Sequence, residues 1–162
     1  MLTRRIAGSF LTILFLLAAL PVTATQQEEK DSHPEITWLS YHEARAVARA
    51  DDKPIFLHFG VDWSQWDQAM RRETYRDREV ILYLKEHFVC GMVDVENQRA
   101  LAKRYGVESY PTLWFLDSEG RSLTSVGGML TPEKLLLVLE FVQTEAFHDT
   151  TYEAWKEKRL GR

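Results

Sequence analysis

Cysteine is almost missing from this chain, with one in 162 residues. No disulfide can form within it, which excludes a disulfide-stapled miniprotein and a cysteine-rich zinc module. Basic charge is not in excess either: 20 Lys and Arg stand against 24 Asp and Glu, a formal charge of −4. That balance lacks the basic stripe that nucleic-acid binding requires, so no nucleic-acid partner is expected. With only 8 Gly and 5 Pro, collagen-like and low-complexity readings fall away. What remains is 45% hydrophobic, 12% aromatic and 27% charged, the composition of one globular domain.

The first residues read as an export signal. Arg4 and Arg5 form a positive start, Ile6 to Leu20 is almost wholly apolar, and Val22-Thr23-Ala24 offers small residues where a signal peptidase cuts. Cleavage is expected after Ala24. An uncleaved anchor is the alternative, but the apolar run is short of the span of about 20 residues that a bilayer needs. No cysteine stands near the cleavage site, which argues against a lipid anchor. Cleavage leaves 162 − 24 = 138 residues, and losing both arginines moves the charge to 18 − 24 = −6. A core of that size is sufficient for one domain. The expected location is exported and periplasmic, with secretion as second choice and no stable membrane span after cleavage.

The expected division is a signal peptide at 1–24, a flexible leader at 25–36, one domain at 37–147 and an extension at 148–162. Ser40 and Glu43 form a capping box ahead of a helix that Asp51-Asp52-Lys53-Pro54 breaks. Ile55 to Phe59 reads as a central strand. A helix after Ser64 runs to about Arg72, and Asp77 caps another to His87. Phe88 to Val95 is a strand, Glu96 to Tyr105 a helix ended by Gly106, and Thr112 to Leu116 a strand. Asp117-Ser118-Glu119-Gly120 turns into its partner, Arg121 to Val126. Thr131 and Pro132 open a last long helix to about Phe147. Two parallel strands joined by helices, followed by an antiparallel hairpin, predict an α/β fold with a mixed central sheet flanked by helices, plus a short C-terminal helical extension.

Several ordered motifs carry a resemblance. Lys53-Pro54-Ile55-Phe56-Leu57-His58-Phe59-Gly60-Val61-Asp62-Trp63 is similar to the lead-in of exported thioredoxin-related proteins. Glu73-Thr74-Tyr75, Asp77-Arg78-Glu79-Val80, Val93-Asp94-Val95, Tyr105-Gly106-Val107 and Ser109-Tyr110-Pro111-Thr112 resemble later landmarks of the same branch. The chain is thus identified as similar to thioredoxin-like proteins from about Thr37 to Phe147. Where that family has Cys-x-x-Cys, this chain has Ser64-Gln65-Trp66-Asp67. Serine is not ionised near neutral pH, and neither it nor Asp67 can form or resolve a mixed disulfide. The usual redox reaction is therefore absent from its usual place, and no catalytic residue is assigned.

Cys90 lies in an apolar strand and is expected to be a buried core residue, with monothiol exchange or an intermolecular bridge as the alternative. His58 stands six residues before Ser64, where the resemblance implies a buried acid beneath the second cysteine. It should therefore lie near Asp67, as a buried polar pair. A sharper alternative joins Ser64, His58 and Asp67 in a hydrolytic constellation. His58 with Asp67 is also too small a set for a closed zinc site, and His33, His42, His87 and His148 show no ligand spacing. No metal or cofactor is expected.

What can outlast the thiols is binding. The resemblance implies a shallow groove for an extended peptide, with Tyr110-Pro111 as a cis bond and with Trp63, Ser64, Gln65, Trp66, Asp67, Tyr110 and Pro111 around it. Inward packing of Trp63 is the simpler expectation, and Trp66 is the better candidate for exposure. The expected function is a redox-inactive module, chaperone-like or for assembly, that binds a polypeptide client or partner protein. The alternatives are thiol exchange through Cys90 or a partner, and a scaffold subunit. The scaffold reading rests on the last helix, where Leu135, Leu136, Leu137, Val138, Leu139, Phe141 and Val142 leave little polar face. Tyr152, Trp155 and Leu160 of the extension are expected to cover it, with a homodimer contact as the other solution.

Overall fold

In the computed structural model, which describes residues 34–161, the strand Ile55–Gly60 (β1) lies at the centre. All six of its positions are buried, because it is paired on both edges and covered on both faces. Val89–Asp94 (β2) runs parallel to it on one side, and Thr112–Leu116 (β3) antiparallel on the other. Ser122–Gly127 (β4) pairs with β3 and completes the order β2-β1-β3-β4.

Side chains alternate across the strand, so β1 feeds two cores. Ile55, Leu57 and Phe59 pack with Tyr41, Ala44 and Ala48 of the helix Tyr41–Asp51 (α1) and with Ala102 of Arg99–Arg104 (α4). Phe56 faces the other way, among Met70 of Gln65–Arg72 (α2), Leu84 of Arg78–His87 (α3), and Leu135 and Leu139 of Pro132–Gln143 (α5). His58 shares the Phe56 side, which places a polar ring inside an apolar layer.

Local chemistry explains the element ends. The capping box forms at Ser40 and Glu43, and Asp77 accepts from the backbone N–H groups of Glu79 and Val80. α4 begins three residues later than the helix predicted from Glu96. Asp94 accepts from the Glu96 N–H at 2.9 Å and holds the intervening residues in a turn. The last helix is also shorter than predicted. It ends at Gln143, and Glu145 takes a left-handed φ of 54° before a 3-10 turn at Ala146–His148.

That break lets Tyr152–Arg159 (α6) reverse onto α5. Tyr152 and Trp155 each lie 5.5 Å from the Phe141 ring, and Arg159 donates to Glu140 at 2.8 Å. Leu160, assigned to the same cover, stays 47% exposed and takes no part. The signal peptide and most of the leader lie outside the described residues. Ile36, at the leader's end, is buried in the core, and Leu39 bridges to Gly91 beside β2. Among the described residues no helix is long and apolar enough to cross a membrane.

Candidate functional site

The site forms where β1 ends and α2 begins. Ser64 caps α2, its Oγ accepting from the Asp67 N–H at 3.3 Å. Asp67 therefore occupies the first helical turn, where a carboxylate is favoured by the unpaired N–H groups and the helix dipole. The helix turns Asp67 inward onto β1, and both it and His58 have no solvent exposure. His58 Nε2 lies 2.9 Å from Asp67 Oδ1, and His58 Nδ1 lies 2.8 Å from the Tyr75 hydroxyl.

Burial holds the His58 pKa below its ordinary value, and the nearby Arg71 charge acts in the same direction; the hydrogen bond and charge of Asp67 oppose them. A neutral imidazole has one donor and one acceptor nitrogen. Tyr75, whose own pKa burial raises well above 10.0, keeps its proton. The consistent assignment is that Tyr75 donates to Nδ1 while Nε2–H donates to Asp67. Asp67 Oδ2 is buried with no partner, so the carboxylate depends on the His58 bond. Gly60 closes the arrangement: a Cβ there would lie 1.9 Å from Asp67 Oδ1 and 2.4 Å from His58 Nε2.

This geometry corrects the hydrolytic alternative. Both His58 nitrogens are occupied by Asp67 and Tyr75, and the Ser64 oxygen is turned to helix capping. No imidazole nitrogen is left to accept the serine proton, which nucleophilic catalysis requires. Among the described residues no group of three or more His, Cys, Asp or Glu is placed to hold a metal.

Outward of this pair the surface is aromatic. Trp66, on the first turn of α2, is 55% exposed. Trp63 does not pack inward as expected; it is 66% exposed. Its ring stands perpendicular to Tyr110 at 5.9 Å, and its Nε1–H donates to Glu96 Oε1 at 3.3 Å. The loop is held instead by exposed bonds, Gln68 donating to the Asp62 carbonyl at 2.8 Å and Arg71 to the Asp62 carboxylate at 2.6 Å. Gln65 is exposed, Tyr110 half-buried and Pro111 buried, and the Tyr110-Pro111 peptide is cis. Between Trp63, Tyr110, Val95 and Val107 lies an open cleft of about 430 Å³.

Sequence reasoning missed Tyr75, Glu96 and Arg71. Tyr75 lies in a motif that resembles a family segment, yet nothing in its spacing announces a bond to a residue 17 positions earlier. Cys90 is buried on β2, opposite Phe56 of β1. Burial pushes its thiol up to about 12, far from the thiolate that exchange requires. We expect Cys90 to resist alkylation in the native protein and to react fully in denaturant. Rapid native labelling, read by mass spectrometry, would contradict this burial.

Comparison with known proteins closes the assignment. Residues 41–143 match the family model described as a thioredoxin-like domain. This chain belongs to the thioredoxin-like family. Over 114 residues it is 32% identical to the disulfide bond reductase DsbH of Chlamydia pneumoniae, covering 63% of this chain and 69% of that relative. The solution structure of a thioredoxin from Thermus thermophilus superposes with a TM-score of 0.62 at 26% identity, covering 67% of this chain and 87% of that one. A putative disulphide-isomerase from Bacteroides thetaiotaomicron gives 0.58 at 32% identity, covering 69% and 95%. With one cysteine, this thioredoxin-like chain holds no Cys-x-x-Cys pair.

Proposed function

We propose that this thioredoxin-like protein acts after export, in the periplasm, and binds an extended polypeptide or partner protein without thiol–disulfide turnover. The groove is formed by Trp63, Ser64, Gln65, Trp66, Tyr110 and Pro111, with Asp67 and His58 as its buried support. The observation that carries this reading is the exposure of both tryptophans beside the Tyr110-Pro111 loop. Large aromatics with a polar tip are common anchors at protein interfaces. Reductase and isomerase activities are named for relatives. They do not carry over, because a chain with one buried cysteine cannot cycle between dithiol and disulfide.

The burial of Cys90 counts against exchange through that thiol. The scaffold reading has less support as well, since α6 covers Phe141 on the face it would use. A photo-crosslinking amino acid at Trp66, activated in exporting cells, tests the groove. A discrete protein adduct is expected, and Tyr110→Ala should reduce it by about tenfold, the loss of one aromatic anchor. An adduct from a probe on α5 but none from Trp66 would replace the groove with a scaffold interface.

A further inference from the structure

A second cleft, of about 680 Å³, opens between the segment leading into α1 and the end of α2, and shares no lining residue with the tryptophan cleft. Its size falls within the range of small-molecule sites. Ile36, Trp38, Ile81 and Met92 supply apolar walls, and Arg71 and Arg76 stand among them. Tyr75 lines it as well, with Trp38 set edge-on to the Tyr75 ring at 4.9 Å.

The two guanidiniums are in different states. Arg71 has one nitrogen fixed on Asp62 at 2.6 Å, while its Nε is buried without an acceptor. Arg76 is exposed, and its guanidinium has no carboxylate partner among the described residues. The one acid lining the cleft, Glu35, is exposed and bonded to neither arginine. Guanidinium groups recognise planar oxyanions through paired N–H donors, and they do so best beside apolar surface that excludes water. We propose that this cleft binds a small amphiphilic carboxylate, its apolar body between Trp38, Ile81 and Met92 and its carboxylate on Arg71 and Arg76. The site shares no lining residue with the tryptophan cleft, and Arg71, bonded to Asp62 of the groove loop, is its link to that loop.

Titration of the purified chain with decanoate, followed by calorimetry and by the indole N–H resonance of Trp38, tests the assignment. One decanoate per chain is expected, with that resonance among those that shift. Decanol, which keeps the apolar body and lacks the charge, should bind about tenfold more weakly or worse. Arg76→Gln, at an exposed position where folding is not at stake, should weaken decanoate by about the same factor. Ile81→Trp should block it by filling the cleft, and thermal melting would establish that this variant folds. Absence of binding at saturating decanoate would overturn the proposal. Equal affinity for decanol, or undiminished affinity in the Arg71→Gln/Arg76→Gln double variant, would overturn it too. Crosslinking from Trp66 should persist in Arg76→Gln, which keeps the two sites distinguishable.

Discussion

His58→Leu is expected to lower the stability of the domain by about 2–6 kcal/mol, because it leaves two buried groups without their hydrogen-bond partner at about 1–3 kcal/mol each. The substitution fits the apolar layer around Phe56 and Met70, so lost packing is not the main cause. The cost lies with what stays. Asp67 Oδ1 loses its donor while Oδ2 already has none, and the Tyr75 hydroxyl loses its acceptor. For a domain of this size that is a fall in Tm on the order of 10–20 °C, measurable by thermal melting. The His58→Leu/Asp67→Leu double variant should recover more than half of the loss, because removing both partners leaves no buried carboxylate. A double variant no better than His58→Leu would show that the pair contributes through shape and not through charge.

The same pair predicts a pH dependence. The folded His58 has a pKa below its unfolded value of 6.5, so the unfolded chain binds more protons as pH falls. Stability contributed by the neutral ring is present above pH 6.5 and declines as pH drops below it, toward the folded pKa. Denaturant midpoints measured from pH 7.5 to 5 should show a decline in this window that is reduced in His58→Leu. A slope that is identical in the two proteins would assign it to other groups.

Gly60→Ala carries the second large effect. The added methyl would meet Asp67 Oδ1 at 1.9 Å and His58 Nε2 at 2.4 Å, well inside contact distance. Neither atom can yield freely, since each belongs to a side chain with no solvent exposure and a fixed hydrogen bond. Overpacking of this kind costs about 1–3 kcal/mol, and breaking the His58–Asp67 bond adds to it. We expect a loss of about 3 kcal/mol or more in chemical denaturation. In an Asp67→Ala background the nearest clash disappears, so the added cost of Gly60→Ala should fall by at least half. Strict additivity of the two substitutions would mean that Gly60 is constrained by something other than Asp67.

Much of the fold was legible because it rests on short-range chemistry. The capping residues Ser40 and Asp77, the apolar run of β1 and the turn before β4 each act within a few residues. The two overestimated helices show the limit of that reading. Helix formers continue past Gln143 and begin before Arg99, but a backbone turn at Glu145 and a side-chain acceptor at Asp94 decide the ends. At the site, Ser64 to Asp67 and His58 could be named from the motif. Trp63 faces outward against expectation because an aromatic residue carries no sign of which way its loop will turn. Here Gln68 and Arg71 hold the Asp62 end of that loop through bonds at the surface, and the Trp63 ring meets Tyr110 and Glu96 there as well.

The sequence by itself determined that this chain has one cysteine, a thioredoxin-like order of elements, and a serine and an aspartate where the family carries its thiols. Those are matters of residue identity and local pattern. The burial of Cys90 was legible too, from its apolar strand. Only the tertiary structure decided that His58 has both nitrogens occupied, that Tyr75 joins the network and that Trp63 faces outward. Each depends on contacts between residues distant in the chain, where burial and hydrogen-bond geometry set the outcome and sequence spacing carries no record of them.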